Sequence, residues 1–301
     1  MPSSECIVCG SKENLPLFRT RDRHYGITGE FDIVICPSCG LVRIDPMPTE
    51  EELATYYSQS YYAYKPIPPD SLWTSFKQWL ARSPIPNHDP DFEKPGDFLD
   101  IGCGSGTYLA RMQKRGWRAQ GVEPSAYGVE NGRKSGLKIS HGTLIEAGFA
   151  DESFDYVRSN HSFEHMPNPK EVLREIHRIL RPNGQVFIGI PNIDSIPYRI
   201  FGIFWWYMGA PVHTYTYSPS TITKLLTDTG FKVKKIYFNS NHASFIGSLQ
   251  IYLNRNSTRR SDQGWVLRSK PLIIATNPLA RICDLIHRGD AIEVICEKAD
   301  G

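Results

Sequence analysis

Asp97-Phe-Leu-Asp-Ile-Gly-Cys-Gly-Ser-Gly-Thr-Tyr-Leu109 decides how this chain is read. A short apolar run leads into Gly102, Gly104 and Gly106, and a helical segment opens directly behind them. That order predicts a strand, a tight loop and a helix beginning at the loop, with glycines where the backbone must turn and approach a nucleotide. The Gly-x-Gly-x-Gly spacing is one residue tighter than the dinucleotide fingerprint. A second strand, Arg118-Ala-Gln-Gly-Val-Glu123, follows one helix later and ends in an acid. A lone glycine loop is weak evidence, whereas a loop followed by an acid about twenty residues on is far more specific.

The alternation continues downstream. Tyr156-Val-Arg-Ser-Asn160 predicts a fourth strand. Glu171 to Leu180 places Val172, Leu173, Ile176, Ile179 and Leu180 at helical spacing, and Arg181-Pro-Asn-Gly184 stops that helix. Gln185 to Ile190 reads as the fifth strand, Ser218 as the start of another helix, Gly230 to Tyr237 as the sixth strand and Ala291 to Cys296 as the seventh. Strands alternating with helices predict an α/β fold with an open, mostly parallel sheet, whose ligands sit beyond the carboxyl ends of the strands.

The glycine loop and Glu123 together resemble motif I and the following strand end of class I S-adenosylmethionine-dependent methyltransferases. The resemblance covers roughly residues 95–298. It implies a Rossmann-like seven-stranded methyltransferase sheet and S-adenosylmethionine as cofactor. Asp100, Gly102, Cys103, Gly104 and Gly106 then belong to the cofactor loop, with Cys103 a small filler rather than a nucleophile. Glu123 matches the carboxylate that holds the two ribose hydroxyls. Thr143 and Leu144, within Gly142 to Asp155, match the segment flanking the adenine, and Asn160 and His161 close the cofactor site.

The loop after the fourth strand, Asn160-His-Ser-Phe-Glu-His-Met-Pro-Asn-Pro169, resembles the Glu-His motif of a broad group that includes ubiquinone-biosynthesis and sugar methyltransferases. Methyl transfer needs positioning plus a base for the acceptor proton. His165 suits that role and Glu164 can orient it. The competing roles for His165 are capping the next helix, touching only the cofactor, or joining His161 and Glu164 as metal ligands one helical turn apart. His-x-x-Glu-His also matches an inverted zinc-protease pattern, which the surrounding motifs disfavour.

Tyr198 to Tyr217 is an aromatic insertion, read as a lid or acceptor wall, with an interfacial anchor for a lipid-linked substrate through 198–210 as the competing idea. His213 resembles a histidine near the acceptor in related enzymes and is a second base candidate. The basic tract Asn254-Arg-Asn-Ser-Thr-Arg-Arg260 reads as a solvated loop.

At the other end, Cys6-x-x-Cys9 and Cys36-x-x-Cys39 each run into a glycine, with Phe31 to Cys36 reading as a strand between them. Two such knuckles fit a tetrahedral thiolate zinc site, structural because no coordination position stays open. Four core cysteines or two redox pairs are the bland alternative. The expected organisation is a zinc ribbon over 1–45, a Tyr/Pro-rich linker with short helices over 46–94, and a methyltransferase domain over 95–301 carrying insertions at 192–217 and 240–289. The linker opens with a capped helix at Thr49, runs through Tyr56, Tyr57, Tyr61, Tyr62 and Tyr64, and holds a short helix near Leu72 to Arg82. Its tyrosines either line a substrate cleft or pack the two domains together.

Composition sets the outer bounds. The 301 residues hold 34 Lys and Arg against 32 Asp and Glu, a net charge of +2 that argues against a broad grip on nucleic acid. Hydrophobic content of 40% excludes a disordered chain. The cysteines number seven, an odd count that weakens an all-disulfide framework. The N-terminus reads as lacking a signal peptide, and Ile200 to Ala210 is about half the ~20 residues a bilayer requires, so the expectation is a cytoplasmic protein. The architecture resembles bacterial enzymes that modify sugars, polysaccharides or natural products. It implies O-methylation of a saccharide-type acceptor: a nucleotide-sugar, lipid-linked glycan or polysaccharide. A nucleic-acid methyltransferase docking through the ribbon, and a non-catalytic binding protein on the same scaffold, are the rivals.

Overall fold

The computed structural model describes residues 5–56, 64, 89–240, 243–257 and 264–299. In chain order its elements are β1 (Leu15–Thr20), β2 (Phe31–Ile35), β3 (Val42–Ile44), α1 (Glu50–Tyr56), β4 (Asp97–Ile101), α2 (Thr107–Lys114), β5 (Arg118–Glu123), α3 (Ala126–Lys134), β6 (Lys138–His141) and β7 (Phe154–Asn160). They continue as α4 (Pro169–Ile179), β8 (Leu180–Pro191), α5 (Ile196–Phe201), β9 (Tyr215–Thr216), α6 (Pro219–Asp228), β10 (Phe231–Phe238), α7 (Ala243–Leu253), α8 (Lys270–Leu285) and β11 (Ala291–Lys298). The expected helix near Leu72 to Arg82, and Tyr57, Tyr61 and Tyr62, lie outside the described residues.

Seven strands form one sheet in the order β10-β11-β8-β7-β4-β5-β6. The five from β6 to β8 run parallel, and β11 runs antiparallel to both its neighbours. A strand covered on both faces must be apolar on both, and β4 obeys this: Phe98, Leu99 and Ile101 are all buried. Phe98 joins Leu109, Met112, Trp117 and Tyr156 on the α2 side, its ring stacked 5.7 Å from that of Tyr156. Leu99 joins Val157, Ile188 and Ile176 on the α4 side.

Most sequence expectations appear with shifted ends. Thr49 and Glu52 cap α1 reciprocally, and Ser218 and Thr221 do the same for α6, so both helices begin where a hydroxyl can accept an otherwise unpaired N–H. The boundary after α4 differs. Leu180, expected to end the helix, is already the first residue of β8 and pairs with Phe154, and a register irregularity follows before Gln185 pairs with Tyr156. Asn183 in that stretch has φ of +63°. The turn residues are accommodated inside the strand because pairing there buries Leu180 completely against the core.

The N-terminal strands form a second sheet, β1-β2-β3-β9. Its fourth strand comes from the aromatic insertion: Val42 pairs with Thr216 and Arg43 with Tyr215. Ile33, Val42 and Ile44 share a core with Ile193, Trp205, Met208 and Ala210, while Cys6, Val8, Cys36 and Leu41 pack into the core of the large sheet. Tyr56 sits edge-on to Phe31, and Tyr64 is buried with its carbonyl accepting from Asn131 Nδ2 at 2.7 Å.

Trp205 is fully buried and its Nε1–H donates to Asp290 Oδ1 at 2.9 Å. Trp205→Phe keeps an aromatic ring, though a smaller one, and deletes the donor to a buried carboxylate. Chemical denaturation should show a loss of about 1–3 kcal/mol, the cost of leaving such a group unsatisfied.

Candidate active site

The loop between β4 and α2 has no room for side chains at its glycines. Gly102, Gly104 and Gly106 take φ of +70°, +56° and +82°. A Cβ on Gly102 would stand 2.5 Å from Ser162 Cβ, and one on Gly106 would stand 2.4 Å from Leu137 Cδ1. No side chain caps α2, whose first N–H groups face the loop. Glu123, at the end of β5, is buried, and its carboxylate accepts from Gly104 N and from Ser125 N, each at 2.8 Å. Burial pushes its pKa up to about 7 despite those two donors. Glu123 therefore holds the loop in shape and sits against it.

The other expected cofactor residues divide. Asp100 is buried on the α2 side, paired with Arg158 at 2.9 Å, and the Arg158 guanidinium lies 3.9 Å from the Tyr108 ring centroid. Cys103 is half-buried, and its Sγ fills the space in front of Gly121, where a Cβ would come within 2.5 Å of it. Burial raises that thiol, so it is not poised as a nucleophile. Thr143 and Glu146 cap each other across the turn after β6, Leu144 is buried, and Gly142 N donates to Glu123 O at 3.0 Å.

The Glu-His loop lies directly beside the glycine loop. Ser162 Oγ donates to Ile101 O at 2.8 Å, and His161, with φ of +51°, donates its N–H to Gly189 O at 2.8 Å. Asn160 Oδ1 lies over Gly189, where a Cβ would come within 2.4 Å. A short 3-10 turn, Phe163–His165, then carries Glu164 inward, and Thr214 fastens it by donating both its N–H and its hydroxyl to Glu164 O.

Glu164 is buried, and neither carboxylate oxygen makes a hydrogen bond. Three imidazoles surround it: His161 Nδ1 at 3.5 Å, His165 Nε2 at 3.9 Å and His213 Nε2 at 3.9 Å from Oε1. His165 Nδ1 lies 2.9 Å from Val212 O and His213 Nδ1 lies 2.9 Å from Tyr207 O, which places the N–H of each neutral ring on Nδ1 and turns Nε2 toward Glu164. Burial pushes both histidines below their ordinary range, His213 to about 3, so both rings are neutral at neutral pH. The structure thus brings His165, Glu164 and His213 together. The ligand atoms of these three lie within 4.8 Å of one another, a set able to hold a metal ion. His161 is not part of that set; its ring stacks parallel to Tyr207 at 5.8 Å. Tyr207 and Tyr217, the latter fully buried against Phe163 with no partner for its hydroxyl, also belong to the site. Only their place in the aromatic insertion hinted at them.

That insertion folds inward rather than outward. Trp205, Met208 and Ala210 are buried, so 198–210 lacks the continuous exposed apolar face that a membrane anchor needs. In the N-terminal sheet region, Cys6, Cys9, Cys36 and Cys39 converge with sulfurs 3.5 Å apart in two pairs, and all seven cysteines are free. Gly10 and Gly40 donate to Cys6 O and Cys36 O at 2.8 Å, closing the two knuckles. That separation is too long for a disulfide and suits four thiolates around one ion.

Glu123 gives a prediction with a definite sign. Its folded pKa lies above its ordinary 4.5. Its stabilising contribution is present below about pH 4.5 and is lost as pH rises through 7. Denaturation of the wild type and of Glu123→Gln between pH 4.5 and 8 should show the wild type losing stability relative to the variant, by up to about 3 kcal/mol at about 1.4 kcal/mol per pH unit. A constant difference refutes the assignment.

A family model for a methyltransferase domain matches residues 75–236. The chain is 29% identical to a ubiquinone biosynthesis O-methyltransferase of Pseudomonas paraeruginosa over 151 residues, 46% of this chain and 65% of that enzyme. It is 33% identical to the Pseudomonas aeruginosa UCBPP-PA14 enzyme of the same name over 107 residues, 33% of this chain and 46% of that one. It therefore spans less than two thirds of either relative. A solved SAM-dependent methyltransferase from Archaeoglobus fulgidus superposes with a TM-score of 0.50 at 22% identity, covering 76% of this chain and all of that one, and shares the fold. With more than half of its length matched and the seven-stranded sheet in place, the chain belongs to the methyltransferase domain family.

Proposed function

We propose that this chain is an S-adenosylmethionine-dependent methyltransferase that methylates a hydroxyl of a small, saccharide-type acceptor. The observation that carries the reading is the juxtaposition of the glycine loop, held by Glu123, with two half-buried histidines aimed at one point. S-adenosylmethionine, when bound, supplies a methyl group on a sulfonium centre. Gly102, Gly104 and Gly106 leave the backbone bare for it, and Glu123 offers acceptors to its hydroxyls. On the acceptor side, His165 takes the hydroxyl proton on Nε2 while Val212 O holds its Nδ1–H and Glu164 steadies the resulting imidazolium. His213 is the alternative base, held the same way by Tyr207 O. The aromatic insertion walls the acceptor, and ring faces of this kind suit sugars or an apolar quinone-like ring.

The four cysteines are proposed to hold a structural Zn2+ that clips the N-terminal sheet. A second reading of the Glu164, His165 and His213 cluster is a divalent cation, favoured by the buried carboxylate with no hydrogen-bond donor. It would orient the acceptor oxygen and replace His165 as the group that lowers the hydroxyl's proton affinity.

A labelled-methyl screen over nucleotide-sugars, lipid-linked glycans and phenolic acceptors tests the activity. His165→Ala should keep cofactor affinity by calorimetry and lose about 10²–10⁴-fold in turnover. Retained turnover sinks the base assignment, and absent cofactor binding by the wild type sinks the whole reading. Elemental analysis separates the metals: one zinc per chain lost in Cys36→Ser is expected. A second ion lost in His213→Ala but kept in Cys36→Ser moves the chemistry to the cation reading.

A further inference from the structure

α8 is an amphipathic helix with one broad face that no described element covers. Only Ala280 and Cys283 of its sixteen residues are buried. Ile274, Ile282 and Leu285 recur at helical spacing, with Leu279 and Ile286 alongside, and all five are exposed, Ile274 at 72% and Leu285 at 79%. Trp265, 69% exposed, stands just ahead of the helix. No charged residue interrupts this face. The helix's three charged residues are Lys270, Arg281 and Asp284, and Lys270 and Arg281 fall along one edge of it. Asp284 turns inward, accepting from Ser240 Oγ at 2.7 Å and from Arg281.

Charge is distributed in the same sense. The described residues from 243 to 289 carry five Lys or Arg (Arg255, Arg268, Lys270, Arg281, Arg288) and one acid, Asp284, a net of +4. The whole chain is +2, so the remainder is −2. Eight of the twelve exposed large apolar residues among the described residues, and a net positive charge, thus fall on one segment.

We infer that α8 docks flat on an anionic lipid surface, its apolar face entering the headgroup boundary and Arg268, Lys270 and Arg281 facing acidic headgroups. A wide apolar face with cations on its edge and an aromatic at its end is the pattern that lies in a bilayer interface. Among the described residues no helix is long and apolar enough to cross a membrane, and α8 itself has sixteen residues, so it lies on the bilayer and does not span it. A second copy of the chain is a poorer occupant, because it would bring the same cations face to face. The inference stands apart from the methyl-transfer reading, although a membrane-borne acceptor would suit both.

Co-sedimentation of the full chain with vesicles tests it. Binding is expected to phosphatidylglycerol–phosphatidylcholine vesicles at about 0.1 M salt, with loss at about 0.5 M and none to phosphatidylcholine alone. Each removed cation should weaken binding about fivefold, read with Lys270→Gln and Arg268→Gln. The triple variant Ile274→Ser, Ile282→Ser, Leu285→Ser should lose more than tenfold while keeping its circular dichroism, melting temperature and cofactor binding. Equal binding to both vesicle types, no binding to either, or a concentration-dependent dimer that the triple variant abolishes, each overturns the inference.

Discussion

The active site depends on a contact that only two small residues permit. Gly102 and Ser162 approach so closely that any β-carbon on the glycine would collide. Through that contact the end of β4 and the end of β7 are held as one surface, fixed further by the Ser162 hydroxyl on Ile101 O. The loop that can receive a nucleotide and the loop that carries the acid and histidines are therefore positioned by the sheet, not by each other's flexibility. The residues proposed to be catalytic lie at that junction.

Around the junction the protein buries charge in three different ways. Asp100 is answered by Arg158 across the sheet, so its charge is neutralised locally. Glu123 is answered only by backbone N–H groups, which leaves its proton loosely decided near neutrality. Glu164 is ringed by imidazoles that offer it no hydrogen bond. The outcomes differ: burial raises Asp100 and Glu123 above the usual carboxylate range, whereas the surrounding imidazoles hold Glu164 well below it despite its burial.

Much of this was legible in the residues. The glycine loop, Glu123, the strand–helix alternation and the paired cysteines are local patterns, and local patterns survive reading in one dimension. The convergence of His213 on Glu164 was not, because no periodicity links the aromatic insertion to the end of β7; Thr214, donating to Glu164 O, and Val212 O, bonded to His165 Nδ1, fix that register. Leu180 was assigned to the wrong element because Arg181-Pro-Asn-Gly184 looks like a stop, whereas pairing with Phe154 decided the matter. The apolar run at 198–210 was weighed as a surface anchor, yet it holds the buried Trp205, while the exposed apolar face lies on α8, where prolines at 271 and 278 obscured the helical period.

The pairing of β3 with β9 joins segments more than half the chain apart. During synthesis the knuckles emerge before the large sheet, yet their sheet cannot gain its last strand until Thr216 has left the ribosome, by which point most of the large sheet has also appeared. Closing so long a loop is slow, and the rows of N–H and C=O groups along β3 wait unpaired in the interval. A metal held early by the cysteines would keep that edge in shape until its distant partner arrives, so the N-terminal module would act on the order of assembly as well as on the finished protein.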